Sequence, residues 1–205
     1  MSTNNPRGFV EYKHLSGSVC PATRMYRVKA DGKSGSFQKF PGDPVVLVSG
    51  NTIAVLPTAG TAAALPVLGV IRDVLNSSKR PLTFNQPSVG GGYLPASTAG
   101  WVNVNIDPHQ TYLVNTDATV VSTLIGQFVD VTANNPNTAA GRSGFSIEVA
   151  TGNNTATNTL SFQVIDIAGN NLDGIVGGEN NQDVEVKIAR HIFASRNVAT
   201  SAKAR

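Results

Sequence analysis

The strongest constraint on this chain is a series of short runs in which apolar and polar residues alternate, each closed by glycine, proline, asparagine or aspartate. The clearest run is Trp101-Val102-Asn103-Val104-Asn105-Ile106, where a period of two puts Val102, Val104 and Ile106 on one face and Trp101, Asn103 and Asn105 on the other. Asp107-Pro108 ends it. Similar short strands are predicted at Thr111–Val114, Gln127–Val131, Phe145–Val149, Leu160–Ile167 and Val184–Ile188. Ahead of them, Pro41-Gly42-Asp43-Pro44 launches a strand at Val45–Val48, and Ser49-Gly50-Asn51 turns the chain back into Thr52–Leu56, which makes a hairpin. The near-continuous apolar run Pro66–Ile71 reads as a strand buried on both faces, because Pro66 and Gly69 disfavour the alternative of a helix over Ala62–Asn76. Asp117 is expected to cap one helical turn reaching about Leu124. Asn76–Gly100, with Gly90-Gly91-Gly92, is expected to form an exposed loop, and Asn134–Gly141 a turn. About eight to ten short strands at this spacing predict an all-β fold, an antiparallel β-barrel or sandwich.

Composition narrows the class further. With 205 residues, 40% hydrophobic and only 14% charged, the chain can bury one core and is not disordered by composition. Its longest apolar stretch, Val45–Val74, is broken by Asn51, Pro57, Gly60, Pro66, Arg72 and Asp73, too often for a membrane-spanning helix. No membrane partner is expected. Met1–Arg7 lacks the basic start and apolar middle of an export signal, so synthesis in a cytoplasm is the expectation. Cys20 has no second cysteine to pair with.

Charge divides the chain into three parts. Residues 1–40 carry seven basic side chains (Arg7, Lys13, Arg24, Arg27, Lys29, Lys33, Lys39) against Glu11 and Asp31. Residues 41–185 carry four basic residues against eleven acidic ones, and residues 186–205 carry five basic residues and no acid. An acidic body between basic ends favours pairing with acidic surface on a neighbouring copy or partner. Nucleic acid is not expected as a partner, because the basic residues are spaced out and lack an aromatic stacking surface. The breakers at Pro6, Gly17, Pro21, Gly32 and Gly35 make residues 1–40 an extended basic arm, ordered by lying on another surface as an added strand. Residues 41–193 form the β body, and residues 194–205 a basic tail.

Side chains able to do chemistry do not converge. Asp107-Pro108-His109 reads as a capping carboxylate beside a solvated imidazole, and His14 and His191 are far from it in sequence. With one cysteine and three scattered histidines there is no zinc ligand set. Asp166–Asp173 misses the spacing of a calcium loop, and the glycine run lacks the Lys-Ser/Thr ending of a phosphate loop. No catalytic residue, metal or cofactor is therefore assigned. Asn76-Ser77-Ser78 and Asn153-Asn154-Thr155 match glycosylation acceptors only by chance in a chain without an export signal.

The order of the pieces resembles the head decoration, or cement, proteins of tailed bacteriophages, which bind the outside of the capsid. The resemblance rests on Gly42-Asp43-Pro44-Val45-Val46-Leu47, Val67-Leu68-Gly69-Val70-Ile71, Val102-Asn103-Val104 leading to Asp107-Pro108-His109-Gln110, and Ile125-Gly126-Gln127-Phe128-Val129-Asp130-Val131. It continues through Leu160–Ile167 and the closing Val184–Phe193, so that it spans residues 42–193. It implies a compact β-barrel, a trimer clamped over junctions between copies of the major capsid protein, and a place on the virion surface after synthesis in a host cytoplasm. Arg24, Arg27 and Lys29 of the arm and Arg190 and Arg196 near the tail are the expected contacts, with Trp101 and Phe193 as anchors. The alternatives are another virion part, such as a tail or fibre module or a jelly-roll coat protein, and a carbohydrate-binding β-sandwich. The last would normally expose several aromatic residues, which make up only 6% of this chain.

Overall fold

Alternation along the chain becomes two antiparallel sheets. A computed structural model describes residues 7–17, 20–29, 38–48, 52–56, 66–82, 92–153, 160–168 and 182–194. The six-stranded sheet contains β1 (Val10–His14), β7 (Gln110–Asn115), β11 (Asp183–Ile188), β10 (Phe162–Ile167), β8 (Phe128–Ala133) and β9 (Phe145–Asn153), in that order. The five-stranded sheet runs β2 (Thr23–Val28), β6 (Gly100–Asn105), β5 (Val67–Leu75), β3 (Pro44–Leu47) and β4 (Ile53–Val55). The fold is all-β, and of the two forms the patterning allows it takes the sandwich. The barrel implied by the resemblance is corrected: each sheet keeps two end strands, and among the described residues β1 and β9 share no ladder while β2 meets the start of β4 only through the single bridge of Arg27 to Thr52; the bridge of Thr116 to Ile147 joins the end of β7 to β9. Closure would need a continuous ladder there.

The expected hairpin is present, with Val45 opposite Val55 and Leu47 opposite Ile53. Strands β3 and β5 divide their side chains between two hydrophobic cores. Val46, Val67 and Val70 join Tyr112, Val131, Phe162 and Val186 in the larger core, whereas Val45, Leu68 and Ile71 join Tyr26, Val102 and Val104 in the smaller. This is why the Pro66–Ile71 run shows no alternation: both of its faces are buried. At Gly69 a Cβ would lie 1.9 Å from the Asn105 carbonyl oxygen, so β6 passes too close for any other residue.

The N-terminal segment is extended, and the surface it lies on is this chain's own body. β1 is an end strand of one sheet and β2 of the other. Phe9 stacks on Phe162 with ring centroids 4.7 Å apart, and Tyr26 and Val28 are buried in the smaller core. The Pro41–Pro44 turn ties this segment down. Gly42, at φ +90°, donates its N–H to the Ile71 carbonyl at 2.8 Å and accepts from the Phe9 N–H at 3.0 Å. Asp43 is 2% exposed; its Oδ2 accepts from the Phe40 N–H at 2.9 Å and its carboxylate also accepts from the Ser143 hydroxyl. Burial pushes the Asp43 carboxyl up to about 7, against the opposing pull of those bonds and of the Lys39 charge. Lys39, 1% exposed, is lowered by burial to about 8.

Two local expectations are corrected. Asp117 caps no helix; its Oδ1 accepts from the Val149 N–H at 2.9 Å, and the one short 3-10 turn there, Ser122–Leu124, has no side-chain cap. The Asn76–Gly100 region is not wholly an exposed loop, because Leu82 and Leu94 are buried and Leu94 exchanges backbone hydrogen bonds with Lys39. Gly90 and Gly91 lie outside the described residues.

Candidate interaction surface

The strand register builds one outward-facing patch from residues distant in sequence. Arg27 of β2 lies directly opposite Trp101 of β6, and Met25 opposite Asn103, so their side chains share the outer face of the five-stranded sheet. On the far side of β6, Leu75 faces Trp101 and Asp73 faces Asn103. The β5 to β6 connection begins with a tight turn in which the Asn76 Oδ1 accepts from the N–H groups of Ser78 and Arg80, each at 2.9 Å. This turn holds Lys79 with its Nζ 4.6 Å from the centre of the Trp101 ring. Arg27, Trp101 and Lys79 therefore form a basic and aromatic stripe, flanked by exposed Met25.

The other residues singled out by sequence are not part of this stripe. Arg24 alternates onto the opposite side of β2, where its guanidinium lies 5.8 Å over the Tyr26 ring; Lys29 is exposed just after the strand. Neither Arg24 nor Arg27 makes an ion pair with a described residue. Arg190 is half-buried, and its carbonyl accepts from the Val67 N–H at the start of β5. Phe193, 52% exposed, packs beside His191 with ring centroids 5.8 Å apart. Since Trp101 pairs with Leu75 at the other end of β5, the two patches are separated by roughly 25 Å of strand. Arg196 lies outside the described residues.

A third exposed patch lies at the N-terminal edge. Val10, Tyr12 and Leu15 are 44%, 48% and 53% exposed on and just after end strand β1. The alternation in Phe9–Lys13 carried that signal, since burying Phe9 turns Val10 and Tyr12 to positions where only a partner would cover them. Two cations of this segment pair within the chain: Arg7 with Asp183, and the Lys13 Nζ with the Glu185 Oε2 at 3.3 Å. Part of the charge complementarity between arm and body is thus satisfied intramolecularly.

The remaining titratable groups take structural positions. Asp107 accepts from the His109 N–H at 2.9 Å, and its Oδ2 lies 2.9 Å from the His14 Nε2. Burial opposes ionisation of Asp107, but these bonds outweigh it and hold the carboxyl below its usual range. His191 is 3% exposed, with its Nδ1 accepting from the Phe193 N–H and its Nε2 unpartnered; burial lowers it to about 4. Among the described residues, no group of three or more His, Cys, Asp or Glu side chains is placed to hold a metal ion. Among the same residues, no helix is long and apolar enough to cross a membrane. Searches of protein-family models, curated proteins and solved structures find no match for this chain.

Proposed function

We propose that this protein is a structural, non-enzymatic component of a tailed-phage virion, which binds the outer capsid surface at subunit junctions and stabilises the shell. Its partner on this reading is the major capsid protein, and it assembles there as a homotrimer. The observation that carries the proposal is the β1 edge, where an end strand presents Val10 and Tyr12 with Leu15 just beyond it. A sheet edge is a template for pairing, and natural proteins blunt such edges unless a partner covers them. The stripe of Arg27, Trp101 and Lys79 supplies the aromatic and arginine anchors typical of protein interfaces. Arg24, Lys29, Arg190, Phe193 and Arg196 are the further proposed contacts.

A protein that binds only the assembled lattice stabilises it by mass action, and symmetry multiplies modest contacts into strong attachment. The test is a Tyr12→Glu/Leu15→Glu variant in co-sedimentation with undecorated heads. Both side chains are about half exposed, so the variant keeps its own melting temperature and loses capsid binding. Undiminished binding of a folded variant removes the β1 edge from the proposal.

A further inference from the structure

A groove of about 440 Å³ opens between the N-terminal segment and the five-stranded sheet. Three guanidinium groups from separate parts of the chain line it: Arg7 before β1, Arg72 on β5, and Arg142 in the turn before β9. Arg72 and Arg142 are two of the four basic residues in the acidic span 41–185. Both are exposed, and neither makes an ion pair with a described residue. The groove's own carboxylate, on Glu11, already accepts from the Asn105 Nδ2 at 2.9 Å, and Arg7 is held by Asp183 with its Nε left without an acceptor. The walls between these charges are apolar, from Val10 and the half-buried Pro41. The groove thus concentrates positive charge on an otherwise acidic body and contains too few carboxylates of its own to neutralise it.

We propose that this groove binds an extended acidic segment of a partner polypeptide, whose Asp or Glu carboxylates pair with Arg72 and Arg142 while its apolar side chains lie against Val10 and Pro41. Planar guanidiniums suit carboxylates because they form two parallel hydrogen bonds. The volume falls in the ordinary range of about 300–1,000 Å³ for ligand sites. Nucleic acid fits less well, since the one aromatic ring in the wall, Phe9, is 3% exposed and offers no face for a base to stack on. This site stands whether or not the partner belongs to a capsid.

The experiment is fluorescence anisotropy with a fluorescein-labelled octapeptide, Gly-Asp-Val-Glu-Val-Asp-Val-Gly, and a control peptide with Asn and Gln in place of the acids. The acidic peptide binds the full chain saturably and the neutral one at least about tenfold more weakly. Arg72→Gln/Arg142→Gln weakens the acidic peptide by at least about tenfold at an unchanged melting temperature, Arg72→Lys/Arg142→Lys by an intermediate amount, and Arg80→Gln not at all. Equal binding of the neutral peptide, or an equal loss in Arg80→Gln, overturns the proposal. So does tighter binding of an oligothymidine, or a dimer in sedimentation velocity that the acidic peptide dissociates, which would make nucleic acid or a second copy the occupant.

Discussion

Replacing Asp43 by Asn removes an ionisable group from the interior while keeping an oxygen to accept from the Phe40 N–H. The native carboxyl is raised by burial from 3.8 to about 7. Between those values the unfolded chain has released its proton and the folded chain has not, so rising pH favours unfolding. The stability associated with this group is fully present below 3.8 and has been lost once the pH passes about 7. The shift corresponds to about 4 kcal/mol over the whole window, of which roughly 3 kcal/mol falls between pH 5 and pH 8. For a chain of this size, that is on the order of 10 °C in melting temperature. Lys39 acts with the opposite sign: burial lowers it from 10.5 to about 8, so stability rises again as pH climbs through that range. Together the two groups place a stability trough near pH 7–8. Melting curves of wild type and Asp43→Asn at pH 5 and pH 8 test this directly. The variant gains on wild type at pH 8 relative to pH 5; an identical difference at both pH values refutes the assignment of a buried, neutralised carboxyl.

Other perturbations follow from the same structure. Gly69→Ala forces a Cβ against the Asn105 carbonyl and costs on the order of 3 kcal/mol, read as a lower urea midpoint. His191 is lowered from 6.5 to about 4, so stability falls as pH drops through that window, and His191→Asn has a shallower acid limb by up to about 3 kcal/mol. Deleting residues 1–35 removes Phe9, Tyr26 and Val28 from the cores and costs more than about 5 kcal/mol, so the truncated body melts well below the full chain.

The local pattern was legible wherever a strand has one buried face or two. Trp101–Val104 showed a period of two because only one side is covered there, and Pro66–Ile71 lost that period because β5 serves two cores. Pairing was not legible, since alternation tells which face a residue takes and not which strand lies beside it. Thus the direct opposition of Arg27 and Trp101, and Lys79 lying over that ring, emerge only from the register. The N-terminal segment read as an arm because its runs are short and interrupted, yet Phe9 and Tyr26 each find a core across long sequence separations. Asp43 read as a turn residue, and its buried carboxylate accepts from Ser143, a hundred positions away. The arginine groove is of the same kind, because Arg7, Arg72 and Arg142 share nothing in sequence.

Attachment to a repeating protein shell is measured most directly by titrating the purified chain onto undecorated phage heads and counting bound copies after sedimentation. Decoration predicts saturation at a whole number of copies per symmetric junction, together with a rise in the melting temperature of the head. Protein that stays in the supernatant at micromolar concentration, with head stability unchanged, contradicts it.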